Sequence, residues 1–227
     1  MQQYLEQLAD HFQAHADPTS AMPMKKYMRN QFEFLGIKTP AMTRLNKQFI
    51  AAHGWPPVAQ LAPIVETLWQ WPEREYQYLA LRFIEHFLPQ LTTDFLATIE
   101  TLILNKSWWD TIDSIAIHPV GYLFSRYPAD SKPYLEKWRA HDNIWLRRTT
   151  ILFQISYKTK TDEVLLFSII EDNLGSREFF INKAIGWALR EYSKTAPDAV
   201  TTFVEQTQLA ALSKREALKW LKKQSNC

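Results

Sequence analysis

The chain has 227 residues, of which 46% are hydrophobic and 22% charged, and its formal net charge is +2. This length and balance fit a globular protein with one large domain or a continuous array of repeats. Five glycines are too few for a β-rich fold with many tight turns, and they argue against a glycine-rich phosphate loop.

Cysteine and histidine usage argues against a metal or disulfide framework. The one cysteine, Cys227, is the last residue, and the six histidines show no HxxxH or HExxH spacing, so we expect no metal and no other cofactor. The first residues lack a signal-peptide pattern, and no apolar run approaches the length that spans a bilayer. We therefore expect a cytoplasmic protein, and nothing in the sequence suggests more than a monomer.

Nearly every segment has the pattern of an α-helix. Asp17 can cap the second helix, and Pro119 must stop or kink the helix that begins near Ser107. No long alternating run and no Asn-Gly hairpin signal interrupts the series, which predicts an all-α fold. The predicted helices cover residues 3–15, 20–34, 40–53, 57–70, 73–88, 92–105, 107–118, 119–127, 128–140, 143–157, 161–173, 176–194, 197–206 and 212–224.

A repeat underlies these helices. Four of them are rich in aromatic, arginine and small apolar residues, and they centre near Ala80, Ile115, Thr150 and Ala184, at steps of 35, 35 and 34 residues. Two helices per step of this length are typical of a helical-hairpin solenoid, an α-α superhelix. We predict a single repeat domain over residues 1–227, in which the second helices of the repeats line a concave face.

The step of 35 residues relates three charged side chains. Starting at Asp113, it reaches Arg148 and then Lys183, so we expect these residues at equivalent positions on neighbouring helices. Trp109 lies one turn before Asp113, and Trp187 lies one turn after Lys183, so both indoles share the same faces. One carboxylate among cations and indoles fits a surface that binds phosphates and sugars. The predicted set is Trp109, Asp113, Arg148, Lys183, Trp187 and Arg190.

Some of these residues have a structural interpretation as well. Trp108 is expected to lie in the core between repeats, and Asp110 lies in the first turn of its helix, where the helix dipole favours an acid. Asp113 lies beyond that turn, so the dipole does not explain it. A salt bridge from Asp113 to Arg147 or Arg148 is the structural alternative to a functional carboxylate.

Positive charge is concentrated in the second half of the chain. Residues 1–113 carry 9 Lys/Arg and 12 Asp/Glu, whereas residues 114–227 carry 17 and 12. This asymmetry predicts either a basic surface that meets a polyanion or ordinary surface variation. The same two interpretations, a contact with DNA phosphates or a solvated helix face, apply to the C-terminal cations Lys214, Arg215, Lys219, Lys222 and Lys223.

Six stretches spread over almost the whole chain carry a recognisable pattern. They are YMRN (27–30), FLGI (34–37), SWWDTIDS (107–114), DNIWLRR (142–148), EFFINKAIGWALREY (178–192) and LSKREA (212–217). Together they resemble one known family, the AlkD family of HEAT-like repeat DNA alkylation-repair glycosylases. The sequence departs from the family pattern after Ile115, in the segment AIHPV.

The resemblance implies excision of N3- and N7-alkylated purines from double-stranded DNA by a monofunctional enzyme that needs no cofactor and does not flip the base. It implies that Asp113 is the catalytic carboxylate and that Trp109 and Trp187 pack against the deoxyribose of the lesion. It further implies that Arg148 supports the site and its adjacent phosphate and that Tyr27 contacts the DNA backbone. We expect Lys183 and Arg190 to bind DNA as well, with the protein at the nucleoid when it acts.

The chemistry needs only one carboxylate. A purine alkylated at N3 or N7 is already cationic, so it leaves without the acid that ordinary glycosides require. A carboxylate about 4 Å from the oxocarbenium-like sugar stabilises it by roughly 4 kcal/mol at an effective dielectric of about 20, or close to a thousandfold in rate. The alternatives are a non-catalytic HEAT-like module that binds DNA structure and a solenoid that binds proteins.

Overall fold

The computed structural model describes residues 1–225, and these contain no β-strand beyond an isolated bridge between Glu33 and Glu73. The predicted all-α, helical-repeat fold is confirmed. Contacts divide the chain into two compact units, Met1–Leu91 and Thr92–Cys227. The single domain over residues 1–227 stays a prediction. Within the described part of the chain, no helix is both long and apolar enough to cross a membrane.

The first unit contains five α-helices, and the apolar stripes of four of them form its core, whereas the second helix buries none of its residues. Asp17 caps the second of them, as predicted, because its carboxylate accepts the amide N–H of Thr19 at 3.0 Å. Pro40 lies in the first turn of the third, where a proline is tolerated. The helices are α1 (Gln2–Gln13), α2 (Pro18–Tyr27), α3 (Thr39–His53), α4 (Leu61–Gln70) and α5 (Arg74–Phe87).

The prediction of a helix over residues 20–34 is wrong beyond Tyr27. Arg29 and Asn30 have φ values of 54° and 56°, which place them in the left-handed region and end the helix. The following amides, of Leu35, Gly36 and Ile37, all donate to the carboxylate of Glu75 on α5. That carboxylate satisfies the backbone without a helical ladder, so the segment is extended rather than helical.

Within the described residues, the second unit contains ten α-helices, of which α7 is joined to α8 by a π-turn over Ala116–Val120. Pro119, where the sequence predicts that the helix stops or kinks, lies inside that turn: the α-helix ends at Ile115, and the chain continues through the π-turn into α8. The helices are α6 (Leu96–Leu104), α7 (Trp109–Ile115), α8 (Gly121–Arg126), α9 (Pro128–Arg139), α10 (Ile144–Leu152), α11 (Glu163–Glu171), α12 (Phe179–Ser193), α13 (Pro197–Gln206), α14 (Ala211–Ala217) and α15 (Lys219–Ser225).

Two other boundaries differ from the sequence prediction. The helix predicted over 143–157 ends at Leu152, because the side-chain amide of Gln154 pairs with both backbone groups of Asp162 and closes a loop. The helix predicted over 212–224 is two helices, α14 and α15, that meet at Leu218.

The order of packing in the second unit agrees with the 35-residue step. Helix α10 packs against α7 on one side and against α12 on the other, and α12 packs against α13 and α14. Neighbouring repeats therefore contribute α7, α10 and α12 in succession. This arrangement brings the charged residues of three repeats to adjacent helices.

We expect Glu75→Ala to lower the free energy of unfolding by about 3 kcal/mol, since it leaves three buried amides without an acceptor. Urea unfolding measures the change. Glu85→Ala is the matched control on α5, because Glu85 forms only a 3.7 Å ion pair with Arg82, and we expect it to cost less than about 0.5 kcal/mol. Equal losses in both variants would contradict this role for Glu75.

Candidate active site

The centre of the candidate site is an ion pair between neighbouring repeats. On α10, Arg148 donates from Nε to Oδ1 of Asp113 at 2.7 Å and from Nη2 to Oδ2 at 2.9 Å. Its third nitrogen, Nη1, donates to the carbonyl oxygen of Phe180 on α12. The predicted adjacency of Asp113 and Arg148 is therefore confirmed, and Arg148 links three helices.

This ion pair lies almost out of contact with water. The Asp113 side chain is 16% exposed and the Arg148 side chain 4%. Burial raises the pKa of Asp113 above its ordinary value, and the hydrogen bonds and charge of Arg148 oppose that rise. A carboxylate has more acceptor positions than the two that Arg148 occupies, so the exposed part of Asp113 can accept further hydrogen bonds.

Three aromatic rings form a cluster at the starts of the helices that carry the Asp113–Arg148 ion pair. Trp108 packs against Phe180 with ring centroids 5.1 Å apart and against Trp145 at 5.9 Å, and Trp145 contacts Phe180 at 5.0 Å. These rings come from the beginnings of α7, α10 and α12. Trp108 contacts rings of two neighbouring repeats, as expected for a position between repeats, but it is half-buried and not part of the fully buried core. The cluster fixes the three helix starts that carry Asp113, Arg148 and the Phe180 carbonyl.

The two other indoles predicted for the site are half-buried. Trp109 is the first residue of α7 and lies one helical turn before Asp113, on the same face. Trp187 lies in the middle of α12, one turn after Lys183. Each therefore shares a helix face with a predicted charged residue. Their contact with a sugar stays a prediction.

Lys183 and Arg190, the two predicted DNA-binding cations of α12, share a partner that the sequence analysis missed. Lys183 lies 3.0 Å from Oε1 of Glu216 on α14, and Arg190 donates to Oε2 at 3.2 Å. Lys219 also donates to Oε1, at 2.7 Å. Glu216 lies on the buried side of α14 with Ser213 and Ala217, and an acid on a stripe of small residues was the available signal.

Tyr27 belongs to the first unit. It is the last residue of α2, its side chain is 73% exposed, and the left-handed residues Arg29 and Asn30 follow it. An exposed tyrosine beside a basic turn is consistent with contact with a phosphate backbone. That contact stays a prediction, as do the catalytic and DNA-binding roles of the residues in the second unit.

No group of three or more His, Cys, Asp or Glu side chains that could hold a metal occurs within residues 1–225. The contacts bring together Asp113 and Arg148, whereas Trp109, Trp187 and the two cations of α12 are predicted members of the same site.

The sequence model of DNA alkylation repair enzymes matches residues 8–221. The chain belongs to the DNA alkylation repair enzyme family. Membership gives it a role in the repair of alkylated DNA, with DNA as its partner.

A solved structure supports the family assignment over nearly the same length. This structure, of a predicted DNA alkylation repair enzyme from Enterococcus faecalis, is 32% identical in sequence and superposes with a TM-score of 0.84. The match covers 92% of this chain and 97% of the other. A search among curated proteins finds no match. The resemblance to a DNA alkylation-repair family is thereby confirmed.

We expect Arg148→Ala to lower the free energy of unfolding by about 3–5 kcal/mol at neutral pH, because it leaves Asp113 buried without its cation. Loss of the guanidinium raises the pKa of Asp113 further. An acid whose pKa is raised in the folded state takes up a proton on folding, so lower pH favours the folded variant. The difference in free energy of unfolding between the wild type and Arg148→Ala should therefore become smaller as the pH falls from about 7 to about 5.

Urea unfolding of the wild type and the variant at both pH values measures this narrowing. Arg147→Ala is the control, since it removes the neighbouring guanidinium and leaves the pair of Asp113 and Arg148 in place. A deficit for Arg148→Ala that is the same at both pH values would show that Asp113 is not the group responsible.

Proposed function

We propose that the chain is a monofunctional DNA glycosylase that hydrolyses the N-glycosidic bond of cationic N3- and N7-alkylated purines in duplex DNA. Asp113 is the catalytic carboxylate, and the indoles of Trp109 and Trp187 contact the sugar. The observation that carries the proposal is the largely buried Asp113 carboxylate, fixed by two hydrogen bonds from Arg148 and sharing a helix face with Trp109. Membership in the DNA alkylation repair family supplies the substrate class.

The reaction divides the work between substrate and enzyme. The positively charged base departs with the electron pair of the glycosidic bond, and the developing positive charge passes to the sugar. A water molecule then adds at the anomeric carbon and loses a proton, which leaves an abasic site. The enzyme therefore needs to stabilise a cation and to position one water, and a preorganised carboxylate does both.

The Arg148 guanidinium reduces the direct electrostatic contribution of Asp113. At an effective dielectric of about 20, a carboxylate about 4 Å from the sugar stabilises it by roughly 4 kcal/mol, and a guanidinium about 2 Å farther away opposes this by roughly 2.8 kcal/mol. The net of about 1.4 kcal/mol is about tenfold in rate. Positioning and deprotonating the water adds about a hundredfold or more, so that second role is the larger one.

The arginine therefore has a positioning role in this mechanism. It holds both carboxylate oxygens in one orientation, and the Phe180 carbonyl holds the arginine in turn. A fixed carboxylate loses no free energy in reorganising when the sugar becomes cationic. The indole faces of Trp109 and Trp187 add cation–π attraction to the same charge, and this needs no proton transfer.

Asp113→Asn is expected to lower the rate of release of 7-methylguanine from alkylated duplex DNA by about a hundredfold to a thousandfold. The reason is that it removes both the negative charge and the acceptor that deprotonates the water. The measurement is single-turnover release of free base, quantified by chromatography, with abasic sites counted in parallel. A rate within threefold of the wild type would refute the role of Asp113.

Asp110→Asn provides the matched control, because it makes the same chemical change one turn earlier on α7, in the first turn, where the helix dipole favours an acid. The charge of Asp110 raises the pKa of Asp113, so its removal favours the ionised form of Asp113 and leaves that carboxylate in place. We expect its rate to stay within about twofold of the wild type. Thermal unfolding of both variants separates a loss of chemistry from a loss of folded protein.

A second candidate function is a non-catalytic module that recognises DNA structure. The observation that favours it is the same ion pair, since a carboxylate held by a bidentate arginine is also a common structural link between helices. This candidate predicts salt-dependent binding to duplex DNA with no release of 7-methylguanine or 3-methyladenine. Base release by the wild type, lost in Asp113→Asn, would exclude it.

A further inference from the structure

Glu216 is a buried carboxylate surrounded by three cations. Its side chain is 4% exposed, and it pairs with Lys183, Arg190 and Lys219 within 3.2 Å. The hydrogen bonds and charges of Lys219, foremost, and of Lys183 lower the pKa of Glu216 to about 2, against the cost of burial. The carboxylate is therefore ionised, and the group of four side chains has a net charge of +2.

The approach of Glu216 to α12 depends on a glycine. A Cβ atom at Gly186 would lie 2.4 Å from Cβ of Glu216 and 2.9 Å from the carbonyl oxygen of Ser213, so a side chain there is excluded. One turn away, the hydroxyl of Ser213 donates to the carbonyl oxygen of Asn182 at 2.9 Å. Successive turns of α14 are thus fixed against successive turns of α12, and the Glu216 carboxylate is placed beside Lys183 and Arg190.

Lys183 and Arg190 are more exposed to solvent than the Glu216 carboxylate that holds them. The side chain of Lys183 is 40% exposed and that of Arg190 is 28% exposed, while Glu216 has almost no contact with solvent. Each cation has more N–H donors than one carboxylate oxygen can accept. The exposed ends of both side chains can therefore bind an anion from solvent while Glu216 fixes their position.

Trp187 lies between the two cations along α12. Lys183 is one turn before Trp187, and Arg190 is three residues after it, so the three side chains start from one face of α12. Since both head groups lie within 3.2 Å of the same carboxylate, they are close enough to meet a single phosphodiester.

We propose that Glu216 is a positioning residue that holds Lys183 and Arg190 as a clamp for one phosphodiester of duplex DNA beside Trp187. The proposal rests on the proposed function only in that the bound phosphodiester belongs to DNA. Two long flexible side chains lose conformational freedom when they bind a phosphate. Glu216 has already restricted both in the free protein, so binding costs less.

The test is a double-mutant cycle on binding to undamaged duplex DNA, measured over a series of salt concentrations. We expect Lys183→Gln to weaken binding about fivefold to tenfold in the wild type but less than about twofold in Glu216→Gln, because the lysine is no longer held in place. The salt slope should fall by about one for Lys183→Gln in the wild type alone.

Glu171→Gln is the matched control, since it removes an exposed carboxylate from α11 of the same unit. In the Glu171→Gln background, Lys183→Gln should weaken binding to duplex DNA by the same factor as in the wild type. Equal effects of Lys183→Gln in the wild type and in Glu216→Gln would overturn the proposal. Tighter binding by Glu216→Gln with a steeper salt slope would overturn it too, because Glu216 would then only neutralise charge.

A second double-mutant cycle on DNA binding leaves Glu216 intact, so it tests the clamp even if Glu216→Gln does not fold. Lys183→Gln and Arg190→Gln act on one phosphodiester, so the second loss should cost much less than the first, and additive losses would contradict the clamp. Release of 7-methylguanine by the wild type is measured separately. If the effects of the two substitutions on DNA binding are coupled but the wild type releases no base, the glycosylase is refuted and the clamp stands. If the wild type does not bind duplex DNA, the clamp is overturned.

Discussion

The buried pair of Asp113 and Arg148 is the constraint on which the second unit depends. Two charges taken out of water are tolerated only when geometry is good and the remaining donors are satisfied. The arginine meets this condition through the Phe180 carbonyl, and that contact requires α12 to lie against α10. The orientation of the Asp113 carboxylate therefore depends on the packing of three repeats against one another.

Two buried acids organise the described chain in similar ways, although their partners differ. Glu75 binds backbone amides and fixes the extended segment after α2, which carries no helix of its own. Glu216 binds side-chain cations and fixes α14 against α12. In both cases a single carboxylate determines the position of groups that are distant in sequence.

The sequence predicted the repeat-related parts of this structure well. The step of 35 residues correctly placed Asp113 beside Arg148, because equivalent positions in stacked repeats are neighbours in space. It could not predict the Phe180 carbonyl as the third partner, since every residue has a carbonyl and only packing selects one. The end of α2 and the role of Glu216 were missed for a related reason. Both depend on side chains 26 or more residues away in the sequence.

The π-turn at Ala116–Val120 affects the surroundings of the site beyond accommodating Pro119. In an uninterrupted α-helix, Phe124 would follow Asp113 by about three full turns and would lie within about 20° of it around the axis. The wider turn delays the rotation by about 90°. Phe124 instead stacks on Trp138 in the core, with ring centroids 5.8 Å apart. The extra residue thus turns this large apolar ring into the core, and Phe124 does not occupy the helix surface in line with the Asp113 carboxylate.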